Sequence, residues 1–150
     1  LARDGRALLT DFGIAKVARE SGRLTRTGVV FGTPQYMSPE QAAGSQMDKR
    51  TDIYSLGIIM YEIFCGRVPF EADTFMGILT KHLYEAPIAP RNLVPPINVS
   101  ALLEAVIMKA ISKKPEDRYQ SMREFAEDIR CLMQNKTPSH AMPHLRDSAL

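Results

Sequence analysis

Asp11 stands between Thr10 and the pair Phe12-Gly13, directly after the short apolar run Ala7-Leu8-Leu9. A carboxylate that follows a strand is held at a rigid edge, where its hard oxygens could ligate a metal ion. The same Asp-x-Gly spacing also closes ordinary turns, so the tripeptide alone decides nothing. Downstream, from Gly13 to about Pro39, neither a helical nor a strand period is present. A stretch of that length without regular structure marks either function or disorder. It carries Lys16, Arg19, Arg23 and Arg26 beside Ser21, Thr25, Thr27 and Thr33. The sharper reading is a regulatory loop. The plainer reading is a solvated polar loop.

The elements that must hold these residues read as one small hairpin followed by helices. Asp4-Gly5 marks a turn between the end of one strand and a second strand at Ala7 to Thr10. A short helix is expected from Pro39 to Ala43, with Ser38 as N-cap and proline at its first position. Thr51 to Phe64 follows, with Ile53, Leu56, Ile59, Met60, Ile63 and Phe64 apolar, and Ile58 and Tyr61 on the other side. A helix apolar nearly all round is expected to be buried on every face. Asp52 near its start suits the positive end of the helix dipole, and Gly66 is a plausible stop.

The next amphipathic stretch, capped by Asp73 or Thr74, sets Phe75, Ile78, Leu79, His82 and Leu83 along one stripe. A proline-rich connector spans Ala86 to Pro96. Leu102, Leu103, Val106, Ile107, Ala110 and Ile111 then recur at helical spacing. The last helix opens on the capping-box pattern Ser121-Met122-Arg123-Glu124 and is expected to bury Met122, Phe125, Ile129 and Leu132. Beyond Gln134 no period is sustained, and 135–150 reads as a linker or frayed tail.

Composition bounds the rest. The chain has 150 residues, 45% hydrophobic and 24% charged, which is long enough for one globular domain with a core. A net charge of +2 makes no electrostatic case for nucleic acid. No apolar run reaches the roughly 20 residues of a membrane-spanning helix. Cys65 and Cys131 lack CxxC spacing and fit a reducing, cytoplasmic setting. His82, His140 and His144 show no ligand spacing.

Four blocks in order carry a family resemblance: Asp11-Phe12-Gly13, the stretch Phe31 to Gln41, the stretch Asp52 to Gly57, and Lys113 to Ser121. Together they resemble the C-terminal part of a protein kinase, specifically the bacterial eukaryotic-like (Hanks-type) serine/threonine kinases. The resemblance implies a protein-kinase-like α+β fold. Its mainly α-helical C-terminal lobe would be present here, with one small β-hairpin and a long activation segment. Residues 1–134 would be a partial kinase domain.

By resemblance, Asp11 binds the Mg²⁺ that bridges the phosphates of ATP, Phe12 packs beneath it, and Gly13 lets the loop turn away. Thr33 is similar to the threonine of the loop that receives the substrate residue, which goes with protein substrates bearing serine or threonine acceptors. Thr27 and Thr25 stand where related kinases carry activating phosphorylation sites, with Ser21 a weaker candidate. Ser38 replaces the family's alanine before Pro39-Glu40. Glu40 is expected to pair with Arg118, since carboxylate and guanidinium match bidentately. Asp52 resembles the helix-start aspartate that hydrogen-bonds the catalytic-loop backbone. The stretch Thr74 to Tyr84 corresponds to a helix that often offers a docking face.

The glycine-rich loop, the paired lysine and the H-R-D-x-x-x-x-N loop of such kinases do not occur in this sequence. No catalytic aspartate for the substrate hydroxyl is therefore expected within it, and the N-terminal kinase lobe becomes a required partner. The competing expectation is a non-catalytic helical module that binds partners or kinase substrates.

Overall fold

The computed structural model describes Thr33 to Met142. The expected hairpin, Asp11, Phe12, Gly13, Thr25 and Thr27 lie outside the described residues. Within them stand five α-helices: α1 (Pro39–Ala42), α2 (Lys49–Cys65), α3 (Phe75–Tyr84), α4 (Ala101–Ala110) and α5 (Met122–Met133). Short 3₁₀ turns at Pro34–Tyr36, Pro90–Asn92 and Pro115–Asp117 punctuate them.

Each helix starts on a side-chain cap, because the first turn leaves amide donors without helical acceptors. Ser38 and Gln41 cap α1 reciprocally, each side-chain oxygen accepting from the other's backbone N–H at 3.2 and 2.9 Å. Thr74 accepts from Gly77 and Ser100 from Leu103. At α5, Ser121 accepts from Glu124, while the Glu124 carboxylate reaches back to the N–H of Gln120, one residue earlier than a capping box predicts.

The long helix departs from the sequence reading at its start. Asp48 accepts the Arg50 N–H at 2.8 Å, so α2 begins at Lys49 rather than Thr51. Asp52 consequently lies inside the first turn, exposed to solvent. Gly66 ends the helix at φ 72°, the left-handed conformation that costs glycine least.

Two apolar clusters divide α2 between them. Tyr54, Ile58, Tyr61 and Cys65 pack with Phe70, Leu93, Ile107 and Ile111. Ile53 joins Val106, Ala110, Tyr119 and Phe125. Gly57 sits where α2 meets α4: a Cβ there would lie 2.7 Å from Ile111 Cγ2 and 2.8 Å from Ala110 Cβ. Only a residue without a side chain permits that approach.

The expectation that α2 is buried all round is corrected. Among the described residues Leu56, Ile59, Ile63 and Phe64 are exposed, Ile63 to 69%. Periodicity counts apolar faces but does not say how many find a neighbour; α4 and α5 cover one side only. The open side borders an apolar groove of about 750 Å³ lined by Leu56, Met60, Phe64, Leu103, Ile129 and Leu132. Met122, expected in the core, is 41% exposed, and its helix buries Phe125 and Asp128 instead.

Asp128 explains a second departure. Its fully buried carboxylate accepts the Tyr119 hydroxyl and the backbone N–H groups of Ser139, His140 and Ala141 at 2.7–3.0 Å. The chain after Gln134 is thereby held against α5 as far as Ala141, with Pro138 buried.

Candidate functional site

Thr33 is exposed at the head of the Pro34–Tyr36 turn, and its side chain makes no capping bond. The loop behind it is fastened to α2 at two points. The Ser55 hydroxyl donates to the Tyr36 carbonyl at 2.8 Å, and the Tyr36 hydroxyl donates to Glu62 Oε2 at 2.7 Å. Glu62 holds the Tyr36 phenol protonated, raising its pKa. The turn therefore presents Thr33 on a braced backbone.

Directly behind the turn, α1 carries Glu40 inward. Arg118, arriving from the Pro115–Asp117 turn, grips it bidentately: Nη1 to Oε1 and Nη2 to Oε2, both 2.8 Å. The guanidinium is 1% exposed and spends its remaining donors on the carbonyls of Ser112, Arg50 and Lys113. Thr51 adds a hydroxyl bond to Glu40 Oε1 at 2.8 Å, and the Tyr54 ring lies 4.8 Å beneath Arg118. Burial alone would raise the Glu40 carboxyl; the Arg118 hydrogen bonds, with backbone and Thr51 help, outweigh it and hold the pKa low. A charge pair this deep is tolerable because every guanidinium N–H has a partner and both carboxylate oxygens accept hydrogen bonds.

Next to this pair lies a second buried group. His82 on α3 is fully buried, its Nδ1 2.9 Å from the Tyr54 hydroxyl and its ring edge-on to Phe70 at 4.9 Å. Burial, then the Lys113 charge, press its pKa down to about 4, so the ring is neutral. Lys113 donates to the carbonyls of Lys81 and His82 at the end of α3 and rests 4.0 Å from the Phe70 ring centre. Its own pKa falls to about 8, chiefly through burial.

The structure thus brings together Glu40, Arg118 and the loop bearing Thr33. Asp52, in the first turn of α2, makes no side-chain hydrogen bond among the described residues. Thr51, Ser55, Tyr36 and Glu62 were missed from sequence, because a lone hydroxyl gives no signal of what it meets. Asp128 did leave a signal: an acidic residue on the same helical stripe as Phe125 and Leu132 needs a buried partner.

Among the described residues no cluster of His, Cys, Asp or Glu could hold a metal ion. No helix there is long and apolar enough to cross a membrane. A comparison with known families matches the protein kinase domain over residues 1–129. The chain belongs to the protein kinase family. It is 42% identical over 136 residues to the serine/threonine-protein kinase pkn3 of Myxococcus xanthus, covering 89% of this chain and 25% of that protein. It is likewise 42% identical over 139 residues to PknB of Mycobacterium tuberculosis, covering 92% of this chain and 22% of the other. A probable serine/threonine-protein kinase of Clostridium acetobutylicum is 46% identical over 121 residues, 81% of this chain and 18% of that one. The chain spans about a quarter or less of the curated relatives it matches. These matches are to bacterial kinases of the Hanks type.

Proposed function

We propose that this chain is the substrate-presenting and regulatory part of a serine/threonine protein kinase, which transfers the γ-phosphoryl group of ATP to protein hydroxyls. The observation that carries the reading is the loop from Thr33 to Glu40. It is braced on α2, closed by the buried Arg118 pair, and leaves Thr33 facing outward. A loop that must receive a protein chain needs that combination of rigid backbone and free side chain.

In this reading residues 1–134 form the kinase-domain portion, and 135–150 lead out of it. Asp11 is the metal ligand, with Phe12 and Gly13 shaping the turn around ATP. Its carboxylate is the oxygen donor that Mg²⁺ prefers, though one ligand needs others from outside this chain. Bound there, Mg²⁺ would neutralise phosphate charge. Thr33 contacts the residue beside the phospho-acceptor. Thr27 and Thr25 are phosphorylation sites whose charge the neighbouring arginines would meet. Asp52, exposed at the first turn of α2, hydrogen-bonds the catalytic-loop backbone in this reading. Protein substrates and the N-terminal lobe are the partners, and the setting is cytoplasmic.

The test is phosphoryl transfer from ATP to a serine or threonine peptide by the complete protein. Asp11→Asn is expected to lower kcat by about 100-fold or more, as loss of one transition-state charge contact does elsewhere. Full activity in that variant would overturn the role given to Asp11. Phosphopeptide mapping of the active protein should find phosphate on Thr27 or Thr25. The 150-residue chain alone should give no calorimetric signal for Mg-ATP; micromolar binding would show that it needs no other lobe.

A further inference from the structure

The last four carbonyls of a helix meet no N–H within that helix, and they form the negative end of its dipole. In α3 two of them, those of Lys81 and His82, accept the ammonium of Lys113 at 3.0 and 2.7 Å. The cation comes from a distant part of the chain, between α4 and the Pro115–Asp117 turn. It also rests 4.0 Å from the centre of the Phe70 ring, so two hydrogen bonds and a cation–π contact hold it. A neutral amine is a poor substitute. It keeps two N–H donors but turns a lone pair toward carbonyls or a ring face, all of them electron-rich.

The backbone of the same residue serves a second helix. The Lys113 carbonyl accepts Arg118 Nη2 at 2.9 Å, and that guanidinium grips Glu40 on α1. Lys113 is thus bound to α3 by its side chain and, through Arg118, to α1 by its backbone. α3 in turn packs against both α1 and the Pro34–Tyr36 turn. The stretch from Thr33 to Glu40 therefore leans on a helix whose C-terminal end is fastened by the residue that also braces the Glu40 anchor.

We propose that Lys113 is a positioning residue for protein-substrate binding: its ammonium pins the end of α3 and so fixes the support on which the Thr33 loop rests. This rests on the reading of Thr33 as the substrate contact. Lys113 touches α3, Phe70 and Arg118, so its effect falls on the peptide and not on the chemical step. A shift of the loop by a fraction of an ångström is enough to loosen a peptide without slowing transfer once it is bound.

The pin works only while charged. The groups around the ammonium are Lys81, His82 and Glu85 on α3, Tyr54 on α2, and Arg118 with Glu40 of α1. Lys81 and Glu85 pair with each other at 3.2 Å, and His82 is already neutral above pH 7. With the Lys113 pKa at about 8, the proton leaves and the pin loosens as pH rises through that value.

The experiment uses the complete kinase and steady-state kinetics with a serine or threonine peptide. Lys113→Met keeps an unbranched stem against Phe70 but removes charge and donors. It is expected to raise the peptide KM about fivefold at pH 7, with kcat and the KM for ATP within about twofold of the parent. The parent's peptide KM should itself climb between pH 7 and 9, approaching that of Lys113→Met. Lys113→Arg carries a charge that persists through this range, so its peptide KM should stay near the parent's pH 7 value and lose the alkaline rise.

Thr33→Ala is the control for the underlying reading. If it leaves the peptide KM unchanged, Thr33 is not the substrate contact, and the role of Lys113 falls with that reading. If it raises the KM while Lys113→Met matches the parent from pH 7 to 9, the role of Lys113 alone is overturned. A Lys113→Met enzyme that loses only thermal stability, with unaltered peptide KM, overturns it as well.

Discussion

Arg118 and Arg50 each hold a carboxylate with two nitrogens, through hydrogen bonds that all fall between 2.6 and 3.1 Å. Arg118 grips Glu40 at 2.8 Å with side chains 0% and 9% exposed; Arg50 grips Asp48 at 2.6 Å with side chains 26% and 48% exposed. The surroundings differ far more than the pairs do. Around Arg118 the carbonyls of Ser112, Arg50 and Lys113, the Thr51 hydroxyl and the Tyr54 ring replace the solvent that both ions lost. Around Arg50 water does that work, with one added bond to Gln120. Pair geometry is thus a poor measure of importance. What matters is how much becomes unpaired when one partner is removed.

Removing a partner from each pair should separate them cleanly. Arg118→Ala strands the Glu40 carboxylate in the interior and is expected to cost about 3–5 kcal/mol, read from urea denaturation of the complete protein. A loss comparable to a surface substitution would mean that the pair is not buried in solution. Asp128→Ala tests whether a buried carboxylate matters as much when its partners are neutral. It leaves the Tyr119 hydroxyl and three backbone N–H groups unpaired, and about 1–3 kcal/mol is expected. Proteolysis after Gln134 should accelerate in that variant, since the segment through Ala141 loses its anchor.

Acid sharpens the comparison by protonating the interior in steps. His82 takes up a proton near pH 6.5 when unfolded but only near pH 4 when folded. The unfolded chain therefore binds more protons in that window, and stability should fall as pH drops from 6.5 toward 4. The depressed Glu40 pKa adds a further loss as pH falls through its folded value. Urea midpoints measured against pH should show the first limb vanish in His82→Phe while the second remains. The smallest effect belongs to the surface: Arg50→Ala should leave the urea midpoint unmoved, and a clear shift would make that pair more than an exposed cap.

Much of the scaffold was legible because caps and apolar periods are local properties. Ser38, the pair Asp73 or Thr74, and Ser121 announced helix starts, and Gly66 a stop, since each acts on its own backbone. Asp48 was overlooked because Thr51 and Asp52 offered competing start signals only a few residues on. The stripe along α3 placed His82 inward, but not against Tyr54, twenty-eight positions earlier. On α5 the stripe misled at Met122, where the neighbouring helix does not reach, and left Asp128 unexplained.

By itself the sequence determined the order of the motif blocks, the family they announce, and the helices that follow one another after the loop. Those depend on residue types and on spacing along one chain. Only the tertiary structure decided which face of α2 is covered and that Gly57 admits α4. It also decided that Arg118 divides its donors between the nearby carbonyls of Ser112 and Lys113 and the distant Glu40 and Arg50. Burial and hydrogen-bond saturation are properties of several segments meeting at one point, and no period along a single segment encodes them.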